Sequence, residues 1–404
     1  MKDAVRYLVL AVAVLIVIAI LVVWKKEDRQ KALAELESRF GADVSVTEED
    51  FYVGCDSERL VDLVDFAKVL KRAGEPTILD LTGAPKLTSL AGAETLLSLQ
   101  SLIAIDCPAL VSSEGVERHP NLRELVFTDS AALADVTGIR DLPGLETLDL
   151  SGCGAVEEIE VSSLVSLENL YLSRCRKLTS LDVSANPGLR QLYLDGCSEI
   201  QSVTGLSGLK ELTDLDVSNA TALQSLEGVG GLASLVVLDI RNVNLSDFAE
   251  IGTLPSLRVL RMGGQESIES LEPFANLPGL REIHLEAYPN FSSLKGLPAT
   301  VSQYAGFTHC PRLTSLEGVE VATNLEQLDL TGSSNLEGIE PVSELRNLVQ
   351  LSLVKCRKVT DIKPVERLEA LVIVMLGGSG VVPASVEKLE PENPDIIFDF
   401  AVAE

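Results

Sequence analysis

Leu145-Glu-Thr-Leu-Asp-Leu-Ser-Gly-Cys153 and Leu167-Glu-Asn-Leu-Tyr-Leu-Ser-Arg-Cys175 carry one spacing, L-x-x-L-x-L-x-x-C, and begin 22 residues apart. The same spacing runs from Leu189 to Cys197 and from Leu348 to Cys356. Working outward, rungs start at 76, 99, 122, 145, 167, 189, 212, 235, 257, 280, 302, 325, 348 and 371, fourteen in all at intervals of 22 or 23. Within L-x-x-L-x-L the last two leucines alternate with polar residues, which predicts a short strand with those leucines on one face. Apolar residues at later steps of three suit a tight 3₁₀ turn that returns the chain to the next rung. A single rung cannot cover its own apolar side, so rungs stack and their strands join as a parallel sheet. The fold class expected is α/β: a curved solenoid with the parallel sheet on its concave face and 3₁₀ or short helical turns on its convex face.

Two further columns support that register. Gly92, Gly115, Gly138, Gly205, Gly228, Gly296 and Gly318 share one place on the return turn, where Pro273, Pro341 and Pro364 substitute; either residue suits a bend that a bulky side chain resists. Cys107, Cys153, Cys175, Cys197, Cys310 and Cys356 all fall eight residues after a rung start, an inward place for a small side chain. The period and the L-x-x-L-x-L-x-x-(N/C) strand resemble the leucine-rich-repeat family. The similarity is to its short 22-residue class, that of bacterial internalins and of regulatory subunits of protein phosphatase-1. The resemblance covers residues 76–389 and implies a curved, protein-binding scaffold. Pro341-Val342 and Pro364-Val365 look internalin-like, whereas the usual turn Asn is mostly Cys, Ala or Ser, and no cell-wall sorting motif is visible.

The flanks read differently. Residues 1–6 form a short flank. Residues 7–24, from Tyr7 to Trp24, are 18 uncharged residues, which as a helix rise roughly 27 Å and match a bilayer's hydrocarbon core. With Tyr7 and Trp24 at its ends and no small-x-small cleavage site, this is expected to be an uncleaved transmembrane anchor, making the protein single-pass. Charges on the two sides pull both ways, so the side of the repeats stays open, with export preferred. Residues 25–42 read as a charged stalk helix and 43–75 as an N-terminal cap. In that cap, Asp56 or Ser57 starts a helix that runs to about Arg72 and buries Leu60, Leu63, Val64, Ala67 and Leu70. The repeats fill 76–389 and a C-terminal cap 390–404, and both caps look like those of bacterial membrane-anchored members.

Composition narrows function. With 33 Lys plus Arg against 60 Asp plus Glu, the net charge of -27 disfavours nucleic acid. Three histidines, His119, His284 and His309, and no C-x-x-C pair give no zinc pattern. Gly377-Gly378-Ser379-Gly380 opens no phosphate-loop motif. Neither a cofactor, a metal, a small-molecule substrate nor a catalytic set is expected, and the chain is read as a non-enzyme.

A binding face is expected along the outward strand positions. Their central row contains Asp149, Tyr171, Tyr193, Asp216, Asp239, Arg261 and His284, with Asp195, Asp214 and Arg241 beside it. Aromatic anchors among charges favour an interface, and the acidity favours a protein partner with a basic segment. Asp216 and Asp239 on neighbouring strands repel unless a cation or Arg241 intervenes. A cell-envelope structural protein or adhesin, and a regulatory subunit that positions an enzyme, remain the alternatives.

Overall fold

The computed structural model describes residues 25–46, 51–264, 268–387, 389 and 395–401. The expected anchor at 7–24 lies outside the described residues, among which no helix is long and apolar enough to cross a membrane. The chain divides into two compact units, residues 1–159 and 160–404.

In the first unit, residues 25–35 are helical and continue into a wider π-type turn, Leu36–Phe40. Read from sequence as a charged stalk, this segment instead lies on the cap. Ala32, Leu36 and Phe40 are buried, Phe40 meets Phe66 edge-on at 4.8 Å, and Arg72 bridges Asp28 and Glu35 at 2.9 Å each. Three apolar residues spaced four apart make a stripe that needs covering, and the cap helix covers it. Strands β1 (Asp43–Val46) and β2 (Phe51–Gly54) form an antiparallel hairpin.

Helix α1 spans Val64–Ala73, beginning later than the sequence suggests. Leu60 and Leu63 are buried in turns ahead of it, while Val64 is 43% exposed. The segment before α1 behaves as a return strand would: Leu63 N–H donates to Ala91 O at 2.9 Å and Thr88 N–H to Val61 O at 2.9 Å. Hydrogen bonds to the first rung therefore hold residues 61–63 out of the helix, and the Asp62 carboxylate caps Val64 N–H at 3.0 Å. Parallel strands follow as β3 (Ile78–Asp80), β4 (Ser101–Ile103), β5 (Glu124–Val126) and β6 (Thr147–Asp149), with β3 joined to β2.

The second unit continues the pattern with β7 (Asn169–Tyr171), β8 (Ser180–Asp182), β9 (Gln191–Tyr193), β10 (Ser202–Thr204) and β11 (Asp214–Asp216). Then come four longer strands, β12 (Val237–Arg241), β13 (Val259–Gly263), β14 (Glu282–Glu286) and β15 (Tyr304–Thr308). Strands β16 (Gln327–Asp329), β17 (Gln350–Ser352), β18 (Ile373–Met375) and β19 (Ile397–Asp399) complete it. All pair in parallel with the next rung except β8 and β10, which pair only with each other on the return side. Every predicted rung places its strand two residues after its start, and the middle residue of each strand's first triplet is buried. Only at β15 is that residue an alanine, Ala305; there Phe307 stacks on Phe291 at 5.7 Å and Tyr288 is fully buried, restoring the volume.

The cysteine column is buried throughout. Four of its thiols donate to carbonyls of the preceding rung, Cys107 to Leu81 O at 3.2 Å, Cys153 to Phe127 O at 3.2 Å, Cys197 to Leu172 O at 3.0 Å and Cys356 to Leu330 O at 3.0 Å, whereas Cys310 donates to Thr308 O of its own rung at 3.4 Å. Ser130 and Ser333 occupy the same column and make the same bond to Ala104 O and Phe307 O. The column thus supplies an inward donor to these carbonyls, a second one for Leu81, Phe127, Leu172 and Leu330 O, which also accept the turn N–H three residues on. Burial pushes the Cys153, Cys197 and Cys356 thiols up to about 12, which keeps them protonated donors.

The residue just before that column is left-handed in all fourteen rungs, with φ between 51° and 79°. Glycine, Asn or Asp fills ten of these places; the others are Arg174, His309, Ala287 (φ 57°) and Lys355 (φ 61°). Ala287→Gly and Lys355→Gly are each expected to raise stability by about 0.5–1 kcal/mol, since an L side chain in this region costs roughly 1–2 kcal/mol and glycine gives back part of it as backbone entropy. Urea denaturation checks this, and unchanged midpoints would refute it.

The glycine and proline column is one column in sequence and two conformations in space. Gly115 and its equivalents at 92, 205, 228, 296 and 318 have φ from 86° to 110°. Proline cannot reach that region. In the proline rungs the residue ahead of the 3₁₀ helix, such as Ile339 (φ -127°), leads in, and Pro341 sits in the first turn of the 3₁₀ helix Glu340–Glu344. The expectation of one interchangeable bend is corrected accordingly.

Candidate binding face

Strand register brings six of the predicted site residues into one row of the second unit: Tyr171, Tyr193, Asp216, Asp239, Arg261 and His284 are direct neighbours in that order. All but Asp239 are half-buried on the outward face. Asp214 lies two residues earlier on β11, while Arg241 ends β12 and Asp195 follows β9. Asp149 ends β6 in the first unit.

The acidic part of this row has a structural task that sequence reasoning missed. Asp80, Asp149, Asp216, Asp239 and Asp329 each accept the backbone N–H two residues on, at 2.7–3.1 Å. A carboxylate at the strand end thereby satisfies a turn amide. The recurring D-x-T and D-x-S pairs, as in Asp149-Leu-Ser151, were the signal. Repulsion between Asp216 and Asp239 therefore does not by itself argue for a ligand. Burial raises the Asp216 carboxyl above its ordinary range, with Asp239 and Asp195 adding to the shift. Asp239, 3% exposed, is paired with Arg241, whose Nε lies 2.9 Å from Oδ1 and whose terminal nitrogen lies 2.7 Å from Oδ2.

The tyrosines are not tucked inside. Their rings are 5.3 Å apart at centroids and tilted by 56°, a favourable arrangement for an aromatic pair. Tyr171 hydroxyl donates to Gln191 Oε1. Burial and then Asp214 raise the Tyr193 phenol, so it stays a protonated donor. Asp195 accepts the Ser173 hydroxyl, and Asp214 accepts that of Thr213 at 2.6 Å.

Beyond Asp239 the face opens into a hollow of about 340 Å³, lined by Arg241, Arg261, His284, Glu286, Tyr304 and Thr308 among others. Two outward positions here carry no side chain, Gly263 and Gly306. The Tyr304 ring lies across Gly306, within 2.6 Å of where a Cβ would stand, and stacks on His284 at 4.3 Å. His284 Nε2 is 3.4 Å from Glu282; burial lowers its pKa, Glu282 opposes that, and Arg261 and Arg241 reinforce it. Sequence reasoning named Arg241, Arg261 and His284 but not Glu286, Tyr304, Thr308 or the glycines, although glycine at an outward strand position was visible.

Stacked 22- and 23-residue rungs, a parallel sheet of short strands and an inward leucine and cysteine ladder define a leucine-rich-repeat fold. No family model and no curated protein matches the chain. Among solved structures it is similar to an internalin, InlF of Listeria monocytogenes, at 16% identity over 76% of this chain and 88% of that one, TM-score 0.50. It is also similar to the plant peptide hormone receptor RGFR1 in complex with RGF2, at 16% identity, 83% of this chain, 64% of that one and TM-score 0.51. A third is the functional domain of InlJ from Listeria monocytogenes, which includes a cysteine ladder, at 17% identity, 75% and 63% coverage and TM-score 0.47. The chain spans somewhat under two thirds of the length of the receptor and of the InlJ domain.

Proposed function

We propose that this chain is a protein-interaction scaffold, held to a membrane by residues 7–24, that captures an extended and preferably basic protein segment on the outward face of its sheet. The Tyr171–Tyr193 pair carries the reading: two half-buried rings 5.3 Å apart, bordered by Asp195, Asp214 and Asp216. Such rings offer broad contact area at low entropic cost, while the carboxylates select lysine or arginine. The receptor of similar fold was solved with a peptide hormone bound, which makes peptide capture a natural use of such a face. Binding rather than catalysis is favoured because the thiols with values near 12 are poor nucleophiles.

Replacing both residues, Tyr171→Ala with Tyr193→Ala, is expected to weaken a purified partner at least tenfold while leaving circular dichroism unchanged. An unaltered affinity would remove this site from consideration. Protease shaving of intact cells tests the tether: loss of the repeats places them outside, and protection places them in the cytoplasm, where the regulatory-subunit alternative belongs.

A further inference from the structure

The hollow beyond Asp239 has an electrostatic asymmetry of its own. Arg241 is committed, because its guanidinium and backbone N–H both hold the Asp239 carboxylate. That commitment uses up the acid nearest to Arg261, its direct neighbour on β13. Among the described residues the Arg261 side chain has no hydrogen-bond or ion-pair partner, although the residue is half-buried and borders the cavity. A guanidinium presents paired donors that match a carboxylate, and partial burial strengthens the attraction. The Tyr304 ring takes the place a side chain at Gly306 would fill, and Gly263 packs against Glu286 O and the Arg241 stem, so the open volume beside the guanidinium is the hollow itself. Asp216 also borders the hollow but is turned to its own strand end through Ser218 N–H. Glu286 is the exposed acid at the mouth. Its charge disfavours a phosphate dianion and tolerates a monoanion.

We infer that this hollow is a carboxylate pocket with Arg261 as its binding group, and that it receives an acidic group of the captured segment. The second half of that statement rests on the proposed function; the first does not. Arg261 stands three strands from Tyr193, roughly 14 Å at about 4.8 Å per strand. An extended chain covers that distance in about four residues. Asp214 and Asp216 stand two strands from Arg261, roughly 10 Å, so the preferred segment carries a basic residue over them and a carboxylate about three residues away.

The chain's three histidines make the test direct. With the full chain labelled at histidine, N-acetylglycine, N-acetylaspartate α-amide and neutral N-acetylglycinamide are titrated while the His284 ring resonances are followed by NMR. The first probe represents a chain terminus and the second a side chain; tighter binding of either identifies the source. A carboxylate is expected to move His284 saturably and leave His119, in the first unit, unmoved. Arg261→Gln is expected to weaken that binding at least tenfold, and Arg261→Lys to restore part of it, both with unchanged melting temperature. The pocket is refuted if neither carboxylate shifts His284 saturably, if the neutral amide shifts it equally, or if Arg261→Gln binds as well as the unmodified chain. Tyr171→Ala with Tyr193→Ala should leave the probes bound, so failure of the tyrosine site and failure of the pocket are read separately.

Discussion

Gly115→Ala is expected to destabilise the first unit by about 3 kcal/mol or more, through two costs that fall on one methyl group. Gly115 has φ 110°, where an L residue is strained. A Cβ there would also stand 2.2 Å from Leu90 O, 2.3 Å from Leu90 C and 2.6 Å from Ala91 N, all backbone atoms of the preceding rung. No side-chain rotation relieves such a contact, so the two rungs must separate. Because each rung is stable only through its neighbours, that separation should be felt beyond the site. Gly144→Ala is the control, since its nearest neighbour would be Leu122 O at 3.8 Å, an ordinary contact. Urea unfolding followed by circular dichroism compares them, and equal midpoints would dismiss the close-approach account.

Arg241→Ala is expected to cost roughly 2–3 kcal/mol, at or just below the range for stripping one partner from a fully buried ion pair, because the Arg241 side chain is itself 43% exposed whereas that of Asp239 is 5% exposed. The loss comes less from the missing attraction than from the carboxylate left in place with one backbone N–H. Adding Asp239→Asn should therefore recover most of the stability, although it removes yet another charge. If the double variant is as unstable as Arg241→Ala, the penalty lies in lost packing of the arginine stem. Arg241→Ala should also weaken the carboxylate probes, since an uncommitted Asp239 becomes a competitor for Arg261.

Much of the binding face was legible because strand alternation ties each residue's face to its place in the rung. Tyr171 and Tyr193 are four residues after rung starts, so they had to be outward neighbours, as the ring pair is. The same counting placed Asp216, Asp239, Arg261 and His284 in order. It said nothing of whether Asp239 would bond Arg241 on its own strand or Arg261 on the next. That choice depends on side-chain reach after the strands are stacked. The cap helix misled for a related reason: Leu60, Leu63 and Val64 suit helical periodicity, yet hydrogen bonds from residues 61–63 to the first rung outweigh it.

Taken alone, the sequence determined the rung boundaries, the strand register and the inward and outward faces, because those follow from a period of 22 or 23 and an alternation of two, both local to the chain. Only the tertiary structure decided which carboxylates cap turns, where the helix at residues 25–35 rests, which arginine of the binding row is left without a side-chain partner among the described residues and where the face opens into a hollow. Each of those depends on atoms a whole rung or more apart in sequence competing for the same neighbour, and distance in the stacked chain settles that competition.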